Sequence, residues 1–120
     1  MILIIGGIAS GKKTYVREVL GYADTDFDTD PFGTAPVIYD VQECVRAGCD
    51  VQRLLASLLC KEVVIINEVG SGVIPAEKDD RRFREACGRM TNRLAQSAET
   101  VVRLCCGIPT VLKSAENQTI

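Results

Sequence analysis

A glycine-rich segment near the start of the chain has the composition and spacing of a phosphate-binding loop. Residues 6–12 read Gly-Gly-Ile-Ala-Ser-Gly-Lys and follow a wholly apolar run, residues 1–5. In a G-x-x-x-x-G-K loop the backbone N–H groups turn towards phosphate oxygens, and the lysine reaches the outer phosphates. The start of the following helix adds a partial positive charge. The candidate phosphate-binding residues are Gly6, Gly7, Ile8, Ala9, Ser10, Gly11 and Lys12, with Lys13 and Thr14 next to them. The alternative is a glycine-rich turn without a ligand.

The residue after Lys12 departs from this pattern. A Ser or Thr normally stands there, and its hydroxyl ligates Mg²⁺, whereas this chain has Lys13. A lysine cannot ligate a cation, and Thr14 comes one residue late, so that it should point elsewhere on the helix. A second lysine also makes the mouth of the loop more positive, which favours phosphates and could partly replace the charge of the metal. The sequence thus predicts that the loop binds the phosphates of ATP or GTP, and it argues against an ordinary Mg²⁺ site.

Two carboxylates follow predicted strands and are candidates for chemistry beside the loop. Asp40 closes the short strand 37–39, and Glu68 follows the apolar strand 63–66. Either carboxylate could organise Mg²⁺, and Glu68 could also accept a proton from a substrate hydroxyl. A simple helix cap is the alternative role for Asp40. The predicted catalytic residues are Lys12, Glu68 and Asp40, of which the two acids are also the predicted metal ligands.

A long predicted helix, residues 75–96, carries a stripe of arginines. Arg82, Arg89 and Arg93 follow one another at i, i+7 and i+11. A solvated face with ion pairs along the helix explains most of such a stripe. Arg93 differs because no acid lies three or four positions away on its own helix. It is therefore the candidate for a contact with a phosphate or with another subunit.

The elements that position these residues alternate between short apolar strands and helices. Besides those already mentioned, we expect a strand over residues 100–105, helices over 12–20, 42–47 and 51–60, and a surface loop over 22–36. This pattern predicts an α/β domain, a minimal P-loop domain with a mainly parallel sheet of about four to five strands flanked by helices. The candidate residues then fall at the carboxyl ends of the strands, where such sheets bind ligands. Residues 1–113 are expected to form this single domain, with a frayed tail over 114–120.

Composition excludes several classes of function. The net charge of −2, from 14 basic and 16 acidic residues, argues against nucleic acid or an anionic membrane as a partner. The apolar runs are too short to cross a bilayer. There is no histidine, which excludes histidine acid–base catalysis, a histidine nucleophile and histidine metal ligands. The six cysteines lie within predicted helices and strands, which indicates reduced thiols packed as small hydrophobic groups in a cytoplasmic protein.

Several motifs together resemble the adenosylcobinamide kinase / adenosylcobinamide-phosphate guanylyltransferase family of cobalamin biosynthesis. They are Gly6-Gly-x-x-Ser-Gly-Lys12, Asn67-Glu-Val-Gly-Ser-Gly-Val-Ile-Pro75, Arg82-Phe83, Gly88-Arg89, Leu94-Ala95 and Gly107-Ile-Pro109 through Leu112-Lys113. The resemblance implies a RecA-like P-loop fold and a trimer. It also implies that a nucleoside triphosphate phosphorylates the aminopropanol hydroxyl of adenosylcobinamide, and that GMP is then transferred from GTP through a guanylylated histidine.

The chain departs from this family in ways that limit the expected activity. It is shorter than is usual for the family, and residues 22–36 stand in for the larger segment that carries the nucleophilic histidine. Without any histidine the covalent guanylyl route cannot run. We therefore expect either a nucleotide-binding adenosylcobinamide kinase that forms a homo-oligomer or a degenerate, non-catalytic paralogue that binds nucleotide or partner proteins. A P-loop kinase for a different small alcohol is a third alternative.

Overall fold

The computed structural model of the chain describes residues 1–7, 9–68 and 78–114. Strands and helices alternate along most of it. In chain order they are β1 (Ile2–Gly6), α1 (Lys12–Glu18), a short 3-10 helix (Asp24–Asp26), β2 (Phe27–Asp28), β3 (Val37–Ile38), α2 (Val41–Arg46), α3 (Val51–Leu59), β4 (Val63–Asn67), α4 (Lys78–Ser97), β5 (Thr100–Cys105) and β6 (Ile108–Lys113).

The strands of the described residues form one sheet in the order β2-β3-β4-β1-β5-β6. All neighbouring pairs are parallel except β5 and β6, which are antiparallel. The predicted α/β fold with a mainly parallel sheet is confirmed. The sheet has six strands rather than four or five, because the predicted surface loop contains the two-residue strand β2 and because β6 folds back after the turn at Gly107.

Strand β1 lies inside the sheet, and its apolar side chains are buried on both faces. Leu3 packs into the cluster shared with α2, α3 and α4, whereas Ile4 packs into the cluster on the opposite face with Val16 of α1. A strand covered on both sides needs apolar residues at consecutive positions rather than at alternating ones. This explains the unbroken apolar run that precedes the glycine-rich loop. The run ends where β1 ends, so the loop begins at the carboxyl end of the strand.

The helix that carries the arginine stripe packs on one face of the sheet, next to α2 and α3. Its predicted beginning at Pro75 lies outside the described residues, and α4 ends at Ser97. The ammonium group of Lys113 donates to the backbone oxygens of Ala95 and Gln96, at 3.2 and 2.9 Å, and so stabilises the end of α4. Apart from Ser114, the predicted frayed tail also lies outside the described residues.

The six cysteines are free thiols, but they are not uniformly packed. Cys87 on α4 is buried, as expected, whereas Cys60, Cys105 and Cys106 are exposed. The expectation of packed thiols is wrong for these three. Cys105 is the last residue of β5, and Cys106 lies in the following turn with φ of 53°. In the part of the chain that the structure describes, no helix has the length and apolar character needed to cross a membrane.

Candidate functional site

A cleft lies at the edge of the sheet where β1, β3 and β4 end. It has a volume of about 470 Å³ and is lined by residues 9–14, by Tyr39 and Asp40 after β3, and by Ile65 and Asn67 of β4. Residues 6–12, which we call the P-loop, lead from β1 into α1 along one side of the cleft. Ile8 lies outside the described residues. The structure thus brings the glycine-rich loop and the carboxylate of Asp40 to one site, as the strand ends predicted.

Two glycines allow the P-loop to pack tightly against the neighbouring strand. A Cβ atom on Gly6 would lie 2.6 Å from the backbone oxygen of Leu104 and 2.6 Å from Oγ of Ser10. Gly11 has φ of 91°, in the left-handed region, and a Cβ there would lie 3.3 Å from Cα of Gly107. The backbone N–H of Gly107 also donates to the oxygen of Ser10 at 3.0 Å. The turn between β5 and β6 therefore supports the P-loop from behind.

The side chain of Lys12 is held inside the P-loop. Lys12 is 7% exposed, and its ammonium donates to the backbone oxygen of Gly7 and to Oγ of Ser10, the latter at 3.3 Å. Burial lowers the pKa of Lys12, while the nearby carboxylates of Glu68 and Asp40 raise it and the ammonium of Lys13 lowers it. A buried ammonium in a loop of this kind gains a stronger, charge-assisted hydrogen bond when an anionic phosphate oxygen binds beside it.

Lys13 also belongs to the cleft, although its side chain is exposed. Its Nζ atom lies 3.7 Å from the centre of the Tyr39 ring, which is within the range of a cation–π interaction. Tyr39 and Lys13 both line the cleft. Thr14 lines it as well, so the expectation that it points elsewhere on the helix is wrong. The position where a P-loop normally offers a hydroxyl to Mg²⁺ is therefore occupied by an ammonium group that an aromatic ring holds in place.

Glu68 directly follows β4, and its backbone N–H donates to the oxygen of Gly6 at 2.8 Å. Its carboxylate forms a two-pronged ion pair with Arg103 of β5. Oε1 of Glu68 lies 2.7 Å from Nε of Arg103, and Oε2 lies 3.0 Å from Nη2. The hydrogen bond to Glu68 raises the pKa of Arg103. Both carboxylate oxygens of Glu68 are thus engaged by a side chain that is 35 residues away in sequence.

Asp40 is exposed at the cleft and occupies the position before the first residue of α2. Its backbone has φ of 54°, which is in the left-handed region, and its side chain makes no capping hydrogen bond to α2. The simple helix cap is therefore not its role here. Because Asp40 raises the pKa of Lys12, its charge acts on the ammonium inside the P-loop.

These side chains do not form a good magnesium site. Protein-bound Mg²⁺ prefers octahedral oxygen donors and uses one or two carboxylates together with phosphates and water. The cleft lacks the P-loop hydroxyl, and Arg103 engages both oxygens of Glu68. Asp40 is left as the carboxylate of the predicted pair, next to the positive charges of Lys12 and Lys13. Within residues 1–7, 9–68 and 78–114, no group of three or more His, Cys, Asp or Glu could hold a metal ion.

Comparison with known proteins identifies the family to which the chain belongs. The model of the family described as "Cobinamide kinase / cobinamide phosphate guanyltransferase" matches residues 34–112. The chain belongs to this family. The family match includes Tyr39, Asp40, Glu68 and Arg103, but it begins after the P-loop. The assignment of residues 6–12 therefore rests on their own motif and geometry.

Two relatives have the printed name "Bifunctional adenosylcobalamin biosynthesis protein CobU". The protein of Escherichia coli is 33% identical over 82 residues, and that of Salmonella typhimurium is 36% identical over 82 residues. Each match covers 65% of this chain and 45% of the relative. The chain therefore matches less than half of the length of either CobU protein.

The structure does not bring Arg93 to the cleft. Arg93 lies near the end of α4, shortly before β5 begins at the opposite edge of the parallel strands. Within one chain of this cobinamide kinase family member, it is therefore separated from the P-loop by the length of the sheet. An assembly such as the trimer that the resemblance implies is needed if Arg93 is to contact a nucleotide.

Two residues of the site were missed by the sequence analysis. Arg103 is the charged residue of the otherwise mainly apolar strand β5, and Tyr39 ends the run that leads to Asp40. A lone charge in a central strand is a usable signal, because it must find a partner at the sheet edge or in solvent. Nothing in the local pattern around Tyr39 indicates its contact with Lys13.

Proposed function

We propose that this chain binds ATP or GTP with its P-loop and transfers the terminal phosphate to the alcohol of a cobinamide. One observation carries the proposal: in a member of the cobinamide kinase family, a glycine loop encloses a buried lysine beside a cleft of about 470 Å³. Gly6, Gly11 and Lys12 would hold the phosphates, and the rest of the cleft would receive the acceptor. The aminopropanol hydroxyl of adenosylcobinamide is the acceptor that the family resemblance implies.

The transfer step would depend on positioning and electrostatics rather than on covalent chemistry by the protein. The acceptor hydroxyl oxygen forms a bond to the terminal phosphorus, and the bond to the nucleoside diphosphate breaks. The hydroxyl proton passes to a carboxylate. Asp40 lines the cleft, whereas Glu68 is not among the lining residues and its oxygens are paired with Arg103, so Asp40 is the carboxylate that the cleft offers first.

We further propose that guanylyl transfer does not occur on this chain. The resemblance implies a covalent route through a guanylylated histidine, and the 120 residues contain no histidine. Incubation with GTP labelled in its α-phosphate, followed by denaturation, should leave no label on the protein. Stable labelling would show that another nucleophile has replaced the histidine.

A second candidate function is nucleotide binding without phosphate transfer. Two observations favour it: Lys13 stands where the magnesium-binding hydroxyl is expected, and Arg103 engages both oxygens of Glu68. In that case the chain would act as a nucleotide-binding subunit or regulator. Turnover of a labelled terminal phosphate onto cobinamide distinguishes the two candidates, because the second predicts binding without any labelled product.

Thermal unfolding with ATP or GTP tests the common part of both candidates. At one hundred times its Kd, a ligand that binds only the folded state adds about 2.7 kcal/mol of stability. For a domain of this size, this corresponds to a rise in Tm of about 10 °C. An absence of any rise with either nucleotide would contradict nucleotide binding. A rise followed by no phosphorylation of cobinamide would favour the second candidate.

A further inference from the structure

We infer that this site binds the nucleotide without magnesium, and that the ammonium group of Lys13 supplies the positive charge for which other P-loops use the metal. The inference rests on the proposed nucleotide binding and specifies the form of the ligand, which is the free triphosphate rather than its magnesium complex.

The first argument is that the oxygen ligands expected for Mg²⁺ are either missing or already engaged. A P-loop contributes a hydroxyl directly after its lysine, and here that position is Lys13. Glu68, the carboxylate that follows β4, has both oxygens on Arg103 at 2.7 and 3.0 Å. Asp40 and the hydroxyl of Thr14, which also lines the cleft, would have to replace these donors against the repulsion from the two neighbouring ammonium groups.

The second argument is the placement of Lys13. Its ammonium lies 3.7 Å from the centre of the Tyr39 ring, at the solvent-exposed wall of the cleft. A cation held over an aromatic face keeps its charge and loses only part of its hydration. Tyr39 therefore acts as a positioning residue, which directs the charge of Lys13 to the mouth of the P-loop.

The third argument is the electrostatic proximity of the two lysines. Burial lowers the pKa of Lys12 most, and the charge of Lys13 lowers it further, which places the two ammonium groups within each other's field. A phosphate that binds at Lys12 is therefore also within the field of Lys13. The same field attracts a free triphosphate and repels a divalent cation, so that one residue accounts for both the gain in phosphate affinity and the loss of the metal.

The test is calorimetric titration of the full chain with ATP and with GTP, once in EDTA and once in excess Mg²⁺. Lys13→Met removes the charge without adding an oxygen donor, and Lys13→Ser supplies the hydroxyl of an ordinary P-loop. Arg89→Met is the charge-matched control on the exposed part of α4. Tyr39→Leu removes the ring beneath Lys13, whereas Tyr39→Phe keeps it. Thermal melts of each variant confirm that it is folded.

Excess Mg²⁺ converts nearly all of the nucleotide to its magnesium complex, so we expect the apparent wild-type Kd to be weaker in Mg²⁺ than in EDTA by about tenfold or more. In EDTA, Lys13→Met should weaken binding by about tenfold, with no change in Arg89→Met. Tyr39→Leu should lose part of the affinity and Tyr39→Phe should retain it. Lys13→Ser should bind weakly in EDTA and regain affinity when Mg²⁺ is added.

Two results would overturn the inference while leaving nucleotide binding intact. One is a wild-type affinity in excess Mg²⁺ that equals or exceeds the affinity in EDTA. The other is an unchanged affinity of Lys13→Met in EDTA. An absence of binding by folded wild-type protein in both conditions is a different result, because it refutes the proposed nucleotide binding itself.

Discussion

Gly6→Ala should damage the P-loop, because the space beside Gly6 is filled by the backbone of the next strand. The new Cβ would lie 2.6 Å from the oxygen of Leu104 and 2.6 Å from Oγ of Ser10. The Ser10 side chain can rotate away. The Leu104 oxygen belongs to β5, whose pairing with β1 places Leu104 opposite Gly6, so relief requires the two strands to separate locally.

Overpacking of this kind costs about 1–3 kcal/mol, and the fixed position of the Leu104 oxygen places Gly6→Ala in the upper part of that range. At this chain length each kcal/mol changes Tm by about 4 °C, so we expect a decrease of about 8–12 °C. Gly7→Ala is the matched control, because a Cβ there meets nothing within 4 Å and φ of Gly7 is not in the left-handed region. It should change stability by less than about 0.5 kcal/mol.

Urea unfolding followed by far-UV circular dichroism measures both variants under identical conditions. Equal stabilities of Gly6→Ala and Gly7→Ala would refute the close packing of β1 against β5 at the P-loop. Nucleotide affinity provides a second readout, since a displaced Gly6 also displaces Ser10 and the loop that follows it.

Two further predictions concern parts of the fold outside the cleft. Asp50 accepts a hydrogen bond from the backbone N–H of Gln52 at the start of α3, so Asp50→Ala should cost about 1 kcal/mol in urea unfolding; an unchanged midpoint would contradict this capping role. Burial, and then the hydrogen bond to Glu62, raise the pKa of Tyr22 above its ordinary value of 10.0. The folded state therefore holds the phenolic proton more tightly than the unfolded state, and the resulting stability is complete below pH 10 and is lost as the pH rises through the folded pKa. The urea midpoint of wild type should thus fall more steeply than that of Tyr22→Phe above about pH 10; parallel curves would contradict this assignment.

The sequence predicts the central part of the fold well, because burial on both faces leaves a strong local pattern. The apolar runs that became β1 and β4 are continuous, and each ends in residues that mark the edge of the sheet. Strand β6 was not predicted from the sequence. It contains Pro109, and its apolar residues Ile108, Val111 and Leu112 are 68%, 57% and 55% exposed. An edge strand tolerates proline, and the pairing with β5 rather than burial of side chains defines this element.

The candidate site also combines features that are local in the sequence with contacts between residues that are distant in the sequence. The P-loop follows from spacing along seven consecutive residues and from the strand before them. The ion pair of Glu68 with Arg103 and the contact of Lys13 with Tyr39 join residues from different strands and helices. Their partners depend on which strands become neighbours, and no local spacing contains that information. The sequence therefore predicts a magnesium role for Glu68 and does not reveal its partner. In the structure, both carboxylate oxygens of Glu68 contact Arg103.

The central claim is that the P-loop holds the phosphates of a nucleotide through Lys12. Equilibrium titration of fluorescent ATP and GTP analogues into wild type and Lys12→Met tests it most directly, because methionine retains the buried stem of the side chain and removes its charge and its hydrogen-bond donors. The account predicts saturable binding by wild type, a loss of about tenfold or more in Lys12→Met, and a similar melting profile for both proteins. Equal affinities of the two folded proteins would contradict the claim.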